Sequence, residues 1–153
     1  MAAGAFIFPD LAKLNISSAT NLLNPINTFK LALVASTWTP NNTTNEVWAD
    51  VSANEIAAGF GYTAGGGTLA NDALTQTAGV VKFTSDAFVW TAAGGSIPAW
   101  RRGVVYASGT LNGKVNPIVG YFLGDTTPAD IPATTTGNTL TVTPNASGIL
   151  SYT

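Results

Sequence analysis

Histidine and cysteine are both absent from the 153 residues. Without cysteine there can be no disulfide and no thiolate metal site, and cysteine usage says nothing about redox compartment. Without histidine the commonest general base is gone, and with it the Ser-His and Cys-His nucleophile pairs and the usual zinc sites. Charge is scarce too, since Asp, Glu, Lys and Arg make up 9% of the chain, against roughly 25% in an ordinary soluble domain. Six basic and eight acidic residues leave a formal net charge of -2, which offers no electrostatic footprint for nucleic acid or an anionic membrane. Nowhere do about eighteen apolar residues run together, so no helical membrane span is expected. The start, Met1-Ala2-Ala3-Gly4-Ala5-Phe6-Ile7-Phe8-Pro9, lacks the basic n-region and long apolar h-region of a secretory signal.

What is present is 46% hydrophobic residues and a large stock of Thr, Ser, Asn, Gly and Ala. These small polar residues must cover the surface in place of Lys and Glu. Surface charge normally keeps monomers apart and blunts sheet edges, so a chain that omits it is expected to be covered by partners. The length suits one domain, exposing on the order of 7,000 Å² when folded.

Two regions differ in pattern. Residues 1–27 read as an N-terminal arm, in which Phe6, Ile7, Phe8, Leu11 and Leu14 are apolar and Phe8, Leu11 and Leu14 fit a short helical stripe after Pro9-Asp10. Such an arm either packs across one end of the core or docks on a neighbouring subunit. Residues 28–153 read as one β-sandwich domain. From Thr28 the period is two, with Phe29, Leu31, Leu33 and Ala35 on one face and Lys30, Ala32 and Val34 on a mixed face, which predicts a half-buried strand.

Trp38 to Asn45 is rich in turn formers and reads as a loop, Glu46 to Val51 as a short extended segment, and Asn54 to Gly59 as a helical turn or a loop. The run Gly65 to Gly67 should hold no packed element. Strands follow at Leu74 to Thr77, Val80 to Thr84 and Phe88 to Thr91, with Ser85-Asp86 as a tight hairpin or a bulge between the last two. Arg102 to Ser108 and Pro117 to Gly124 form a hairpin pair around Asn112-Gly113, and Thr139 to Thr143 and Ile149 to Tyr152 close the chain. About eight short strands, little helix and Gly/Pro/Asn joints predict an all-β fold, an antiparallel sandwich or barrel-like arrangement.

Chemistry is hard to place on these residues. Gly59-Phe60-Gly61-Tyr62-Thr63-Ala64-Gly65 misses the spacing of a dinucleotide loop and precedes no helix, so its glycines are read as serving backbone geometry. Glu46, Asp50 and Glu55 could converge as an acid pair or calcium site, but no loop has the alternating acidic spacing calcium needs, so they read as solvated turn residues. No Ser or Thr has an activating base in a recognisable pattern. Catalytic, cofactor and metal residues are therefore left unassigned, and an enzyme is not expected. Trp100-Arg101-Arg102 is the one concentrated polar-aromatic feature, and Arg and Trp are enriched where interfaces concentrate their energy. One arginine is expected to pair with a carboxylate such as Asp86 or Asp125 while the other faces solvent or a partner. Trp38, Trp48, Trp90 and Trp100 could also offer flat surfaces for a carbohydrate.

Several segments occur in a telling order. They are Thr28-Phe29-Lys30-Leu31-Ala32-Leu33, Glu55-Ile56-Ala57-Ala58-Gly59-Phe60-Gly61-Tyr62-Thr63-Ala64-Gly65-Gly66, Val81-Lys82-Phe83, Phe88-Val89-Trp90-Thr91-Ala92, Gly94-Gly95-Ser96-Ile97, Val104-Val105-Tyr106, Pro117-Ile118-Val119-Gly120-Tyr121 and Ala146-Ser147-Gly148-Ile149-Leu150. Together they resemble a family of small virion structural proteins of tailed bacteriophages. The likeness covers residues 28–152; the arm and the Trp100-Arg101-Arg102 entry are individual to this sequence.

The resemblance implies a virion component without catalytic residues or cofactors, of the capsid decoration or cement type. Such a protein would bind the major capsid protein and copies of itself on the capsid exterior, with no nucleic acid and no membrane as partners. The alternatives are a tail, baseplate or fibre module and a carbohydrate-binding β-sandwich. The candidate subunit interface is Phe6, Ile7, Phe8, Leu11, Trp38, Trp48, Trp100, Arg101 and Arg102.

Overall fold

The computed structural model describes residues 4–7, 9, 22–78, 80–127 and 129–152. The fold is all-β and antiparallel, with strands β1 (Phe6–Ile7), β2 (Thr28–Val34), β3 (Gly67–Thr68), β4 (Ala73–Thr77), β5 (Val80–Thr84), β6 (Phe88–Thr91), β7 (Arg102–Ser108), β8 (Thr110–Leu111), β9 (Lys114–Val115), β10 (Ile118–Leu123), β11 (Thr139–Val142) and β12 (Leu150–Tyr152). Eight of these have three residues or more.

One sheet runs β1-β10-β7-β2-β3, and two smaller ones run β12-β5-β4 and β11-β6. A separate β8-β9 hairpin carries the Asn112-Gly113 turn between β7 and β10. The sheets form a sandwich-like arrangement without closing into a barrel. β7 is the central strand of the large sheet, and β2 pairs with it along its whole length from Thr28↔Ser108 to Val34↔Arg102.

The main core lies between the large sheet and the small ones. Phe29, Leu31 and Leu33 from β2 and Val105 and Ala107 from β7 meet Phe83, Trp90, Leu140 and Leu150 from the opposing strands. Phe29 and Phe83 touch edge to face with ring centroids 4.7 Å apart, and each is fully buried. Burying a side chain of this kind contributes roughly 2–3 kcal/mol.

The other face of β2 departs from expectation. Ala32 and Val34 are also fully buried, in a second apolar cluster with Val104, Tyr106, Ile118 and Tyr121 of the same sheet and Trp38, Trp48 and Val51 of the segment that covers it. The strand is buried on both sides because that non-periodic cover brings two indoles to the sheet. Within it, the expected extended segment is instead a 3₁₀ turn at Trp48–Asp50, followed by a second at Ser52–Asn54. Asp50 fixes the first turn by accepting hydrogen bonds from the backbone amides of Glu46 and Val47 at 2.9 and 3.0 Å.

Two further segments differ from the local pattern. Ser85-Asp86 makes neither a hairpin nor a bulge, because β5 pairs with β4 and β12 whereas β6 pairs with β11. The chain crosses there from one small sheet to the other. The glycine run does hold an element, since Gly67–Thr68 pairs with β2. Gly66 makes this possible, for it has φ +73° and a Cβ there would stand 2.0 Å from the Leu31 carbonyl oxygen. Only glycine satisfies both the left-handed backbone and that close approach.

Of the arm, Phe6–Ile7 forms β1 at the edge of the large sheet, in register with Phe122 and Tyr121. The Gly4 amide donates to the Leu123 carbonyl at 2.8 Å. Leu22 and Leu23 are fully buried in the main core. The helical stripe expected over Phe8, Leu11 and Leu14 lies outside the described residues.

Candidate functional site

The seven candidate interface residues that the structure describes do not gather into one patch. Phe8 and Leu11 lie outside the described residues. Phe6 is half-buried against Phe122, with ring centroids 6.4 Å apart, while its neighbour Ile7 is 37% exposed. Trp100 is 2% exposed, and its ring fills the space beside Gly124 and Ile131.

Trp38, Trp48 and Arg102 are brought together, but over the second apolar cluster and not on open surface. Trp38 meets Tyr121 edge-on at 5.2 Å, and Trp48 stacks flat on Tyr106 at 5.1 Å. Arg102 donates from Nη1 to the Trp38 carbonyl at 2.7 Å, with its guanidinium 6.0 Å from the Trp38 ring. Burial, with Arg101 next to it, lowers the Arg102 pKa from its ordinary value. Arg101 pairs through Nε with Asp130 Oδ1 at 2.7 Å, so the expected partners Asp86 and Asp125 are not used. Trp90 is buried as well, at 4% exposed. None of the four indoles presents an open face on which a sugar ring could stack.

Glu55, expected to be a solvated turn residue, instead sits at the centre of a hydrogen-bonded latch. Glu55 Oε1 accepts from the Tyr62 hydroxyl at 2.8 Å and from the Gly65 amide at 2.7 Å. The Tyr62 oxygen accepts in turn from the Leu33 amide at 2.9 Å, and the Tyr106 hydroxyl donates to the Gly65 carbonyl at 2.6 Å. The glycine loop is thereby latched to β2 and β7. Burial raises the Tyr62 pKa far above its ordinary value, with Glu55 adding to the rise. Burial, assisted by Glu55, pushes Tyr106 up to about 12. Both phenols are therefore neutral donors near neutral pH.

The three acids considered as a converging group are spent separately. Glu46 pairs with Lys114 Nζ at 2.8 Å, Asp50 caps its turn, and Glu55 holds the glycine loop. No group of three metal-ligating side chains occurs among the described residues.

A cavity of about 700 Å³ opens between the layers, lined mainly by apolar side chains such as Phe6, Leu31, Phe88, Val105, Phe122 and Leu150. Asp86 is the sole charged side chain among its described lining residues. Its Oδ2 accepts from Asn71 Nδ2 at 2.6 Å.

The signal that could have found the latch is the spacing of Glu55, Tyr62 and Gly65 with Tyr106 in a central strand. Only the cross-sheet geometry gives that spacing a meaning. No protein-family model matches the chain, and no curated protein or solved structure matches it.

Proposed function

We propose that this chain is a structural component of a tailed-bacteriophage virion, a capsid decoration or cement protein. It would bind on the shell exterior across joints between major capsid subunits, together with further copies of itself. The ordered segments from Thr28 to Leu150 that resemble such proteins support this reading. The observation that carries it physically is the surface: 7264 Å² of accessible area on a chain with only six basic and eight acidic residues. A coat so poor in charge is not defended against association. A cement protein exploits this by burying modest area on several neighbours and gaining strength from repetition.

The test is to add the purified full chain to purified heads built from the major capsid protein encoded with it. Saturable occupancy and a higher temperature of head disruption are expected; absence from heads, or attachment to tails instead, overturns the reading. Deleting residues 1–14 is a poor probe of the arm, because it would strip β1 from its own sheet. Ile7→Asp is the better variant, since Ile7 is exposed and the change leaves the Phe6–Phe122 contact in place.

A further inference from the structure

We propose that β4 is the edge through which two copies of this chain pair, by antiparallel strand addition about a two-fold axis at Thr75. β4 has a single strand neighbour, β5, and is the longest strand so placed. The large sheet, by contrast, ends on both sides in two-residue strands, β1 and β3. Among the described residues, no strand pairs with the outer side of β4.

The composition of β4 selects the occupant. Its sequence, Ala-Leu-Thr-Gln-Thr, contains no charge and no proline, two of the devices that stop an edge from pairing. Leu74 turns towards the main core, while Thr75 and Gln76 are exposed. An antiparallel copy centred on Thr75 places Thr75 opposite its own equivalent, Leu74 opposite Gln76 and Ala73 opposite Thr77. Every position then meets a neutral residue, and the two new rows of backbone donors and acceptors exchange roughly four to six hydrogen bonds.

The nearest like charge is Lys82, which lies across β5 from Thr75. In the pair the two Lys82 residues stand about three strand spacings, ~14 Å, apart, beyond the ~10 Å screening length at moderate salt. Edge pairing of this kind draws its affinity from main-chain bonds. The proposal deepens the self-association in the reading above and rests on that part alone. Because it is tested on the purified chain without heads, its failure and failure of shell binding are read separately.

The chain has no cysteine, so one substitution introduces a unique thiol. Directly opposed residues in an antiparallel pair have Cα atoms about 4.5–5.5 Å apart, within the range a disulfide bridges. Thr75→Cys is expected to give a covalent dimer on mild oxidation. Gln76→Cys, whose equivalent lies diagonally about 7–8 Å away, is expected to stay largely uncrosslinked. Sedimentation of the unmodified chain should show a concentration-dependent dimer, and Thr75→Lys should shift it to monomer with an unchanged far-UV spectrum. A monomer at every concentration, equal cross-linking at both positions, or a dimer indifferent to Thr75→Lys overturns the proposal.

Discussion

Trp48 lies flat on Tyr106, with ring centroids 5.1 Å apart and planes within 8° of parallel, and the Tyr106 hydroxyl beyond that contact donates to the Gly65 carbonyl. One aromatic pair therefore joins the cover over the second core to the glycine loop. Trp48→Ala should cost about 3–5 kcal/mol, the usual range for emptying a buried indole site. Tyr106→Phe keeps the stack and removes only the hydrogen bond, so it should cost about 1 kcal/mol. Chemical denaturation of both variants checks the ordering.

The Glu55 carboxylate serves two donors at once, the Tyr62 hydroxyl and the Gly65 amide. Glu55→Ala leaves both without their partner and should destabilise by roughly 2–3 kcal/mol, whereas Glu55→Gln retains an acceptor oxygen and should cost less. Hydrogen exchange at the Gly65 amide gives the site-specific readout. It should accelerate strongly in Glu55→Ala and only modestly in Glu55→Gln.

Much of the fold was legible and much of the site was not, for the same physical reason. β2, β7, β10 and β11 are runs of β-branched and aromatic residues between turn formers, and local pattern suffices to find them. The cover from Trp38 to Val51 has no period, because it packs by ring stacking and a carbonyl–guanidinium bond, so its burial of Ala32 and Val34 could not be read along the chain. Partner choice was equally hidden. Arg101 meets Asp130, twenty-nine residues away, and the chain after β5 leaves for a different sheet without any local mark of the change.

Ala78 has φ +51° in the two-residue connection set by the Thr77↔Val80 register of β4 and β5. A hairpin loop of this length favours Asn or Gly in the left-handed region, where a Cβ crowds the following carbonyl. Ala78→Asn or Ala78→Gly should therefore stabilise by roughly 0.5–1 kcal/mol. A rise in the thermal midpoint checks it; a fall would show that the loop draws support from contacts of the alanine methyl.

Alkaline pH should loosen the fold through its tyrosines. The Tyr106 phenol, ordinarily at 10.0, is pushed up to about 12 by burial and by Glu55, and burial moves Tyr62 and Tyr121 in the same direction. Between about pH 10 and pH 12 the unfolded chain gives up a Tyr106 proton that the folded chain keeps. Stability must then decrease as pH rises across that window. The contribution is complete below about pH 10 and is lost as pH climbs through about 12. Denaturation midpoints measured across the range should fall on this limb, and the tyrosinate absorbance of Tyr62, Tyr106 and Tyr121 should appear together with unfolding. Tyr106→Phe removes one of the titrating groups, so its alkaline decline should be shallower than that of the unmodified chain. An equally steep decline in the variant would assign the limb to groups other than Tyr106.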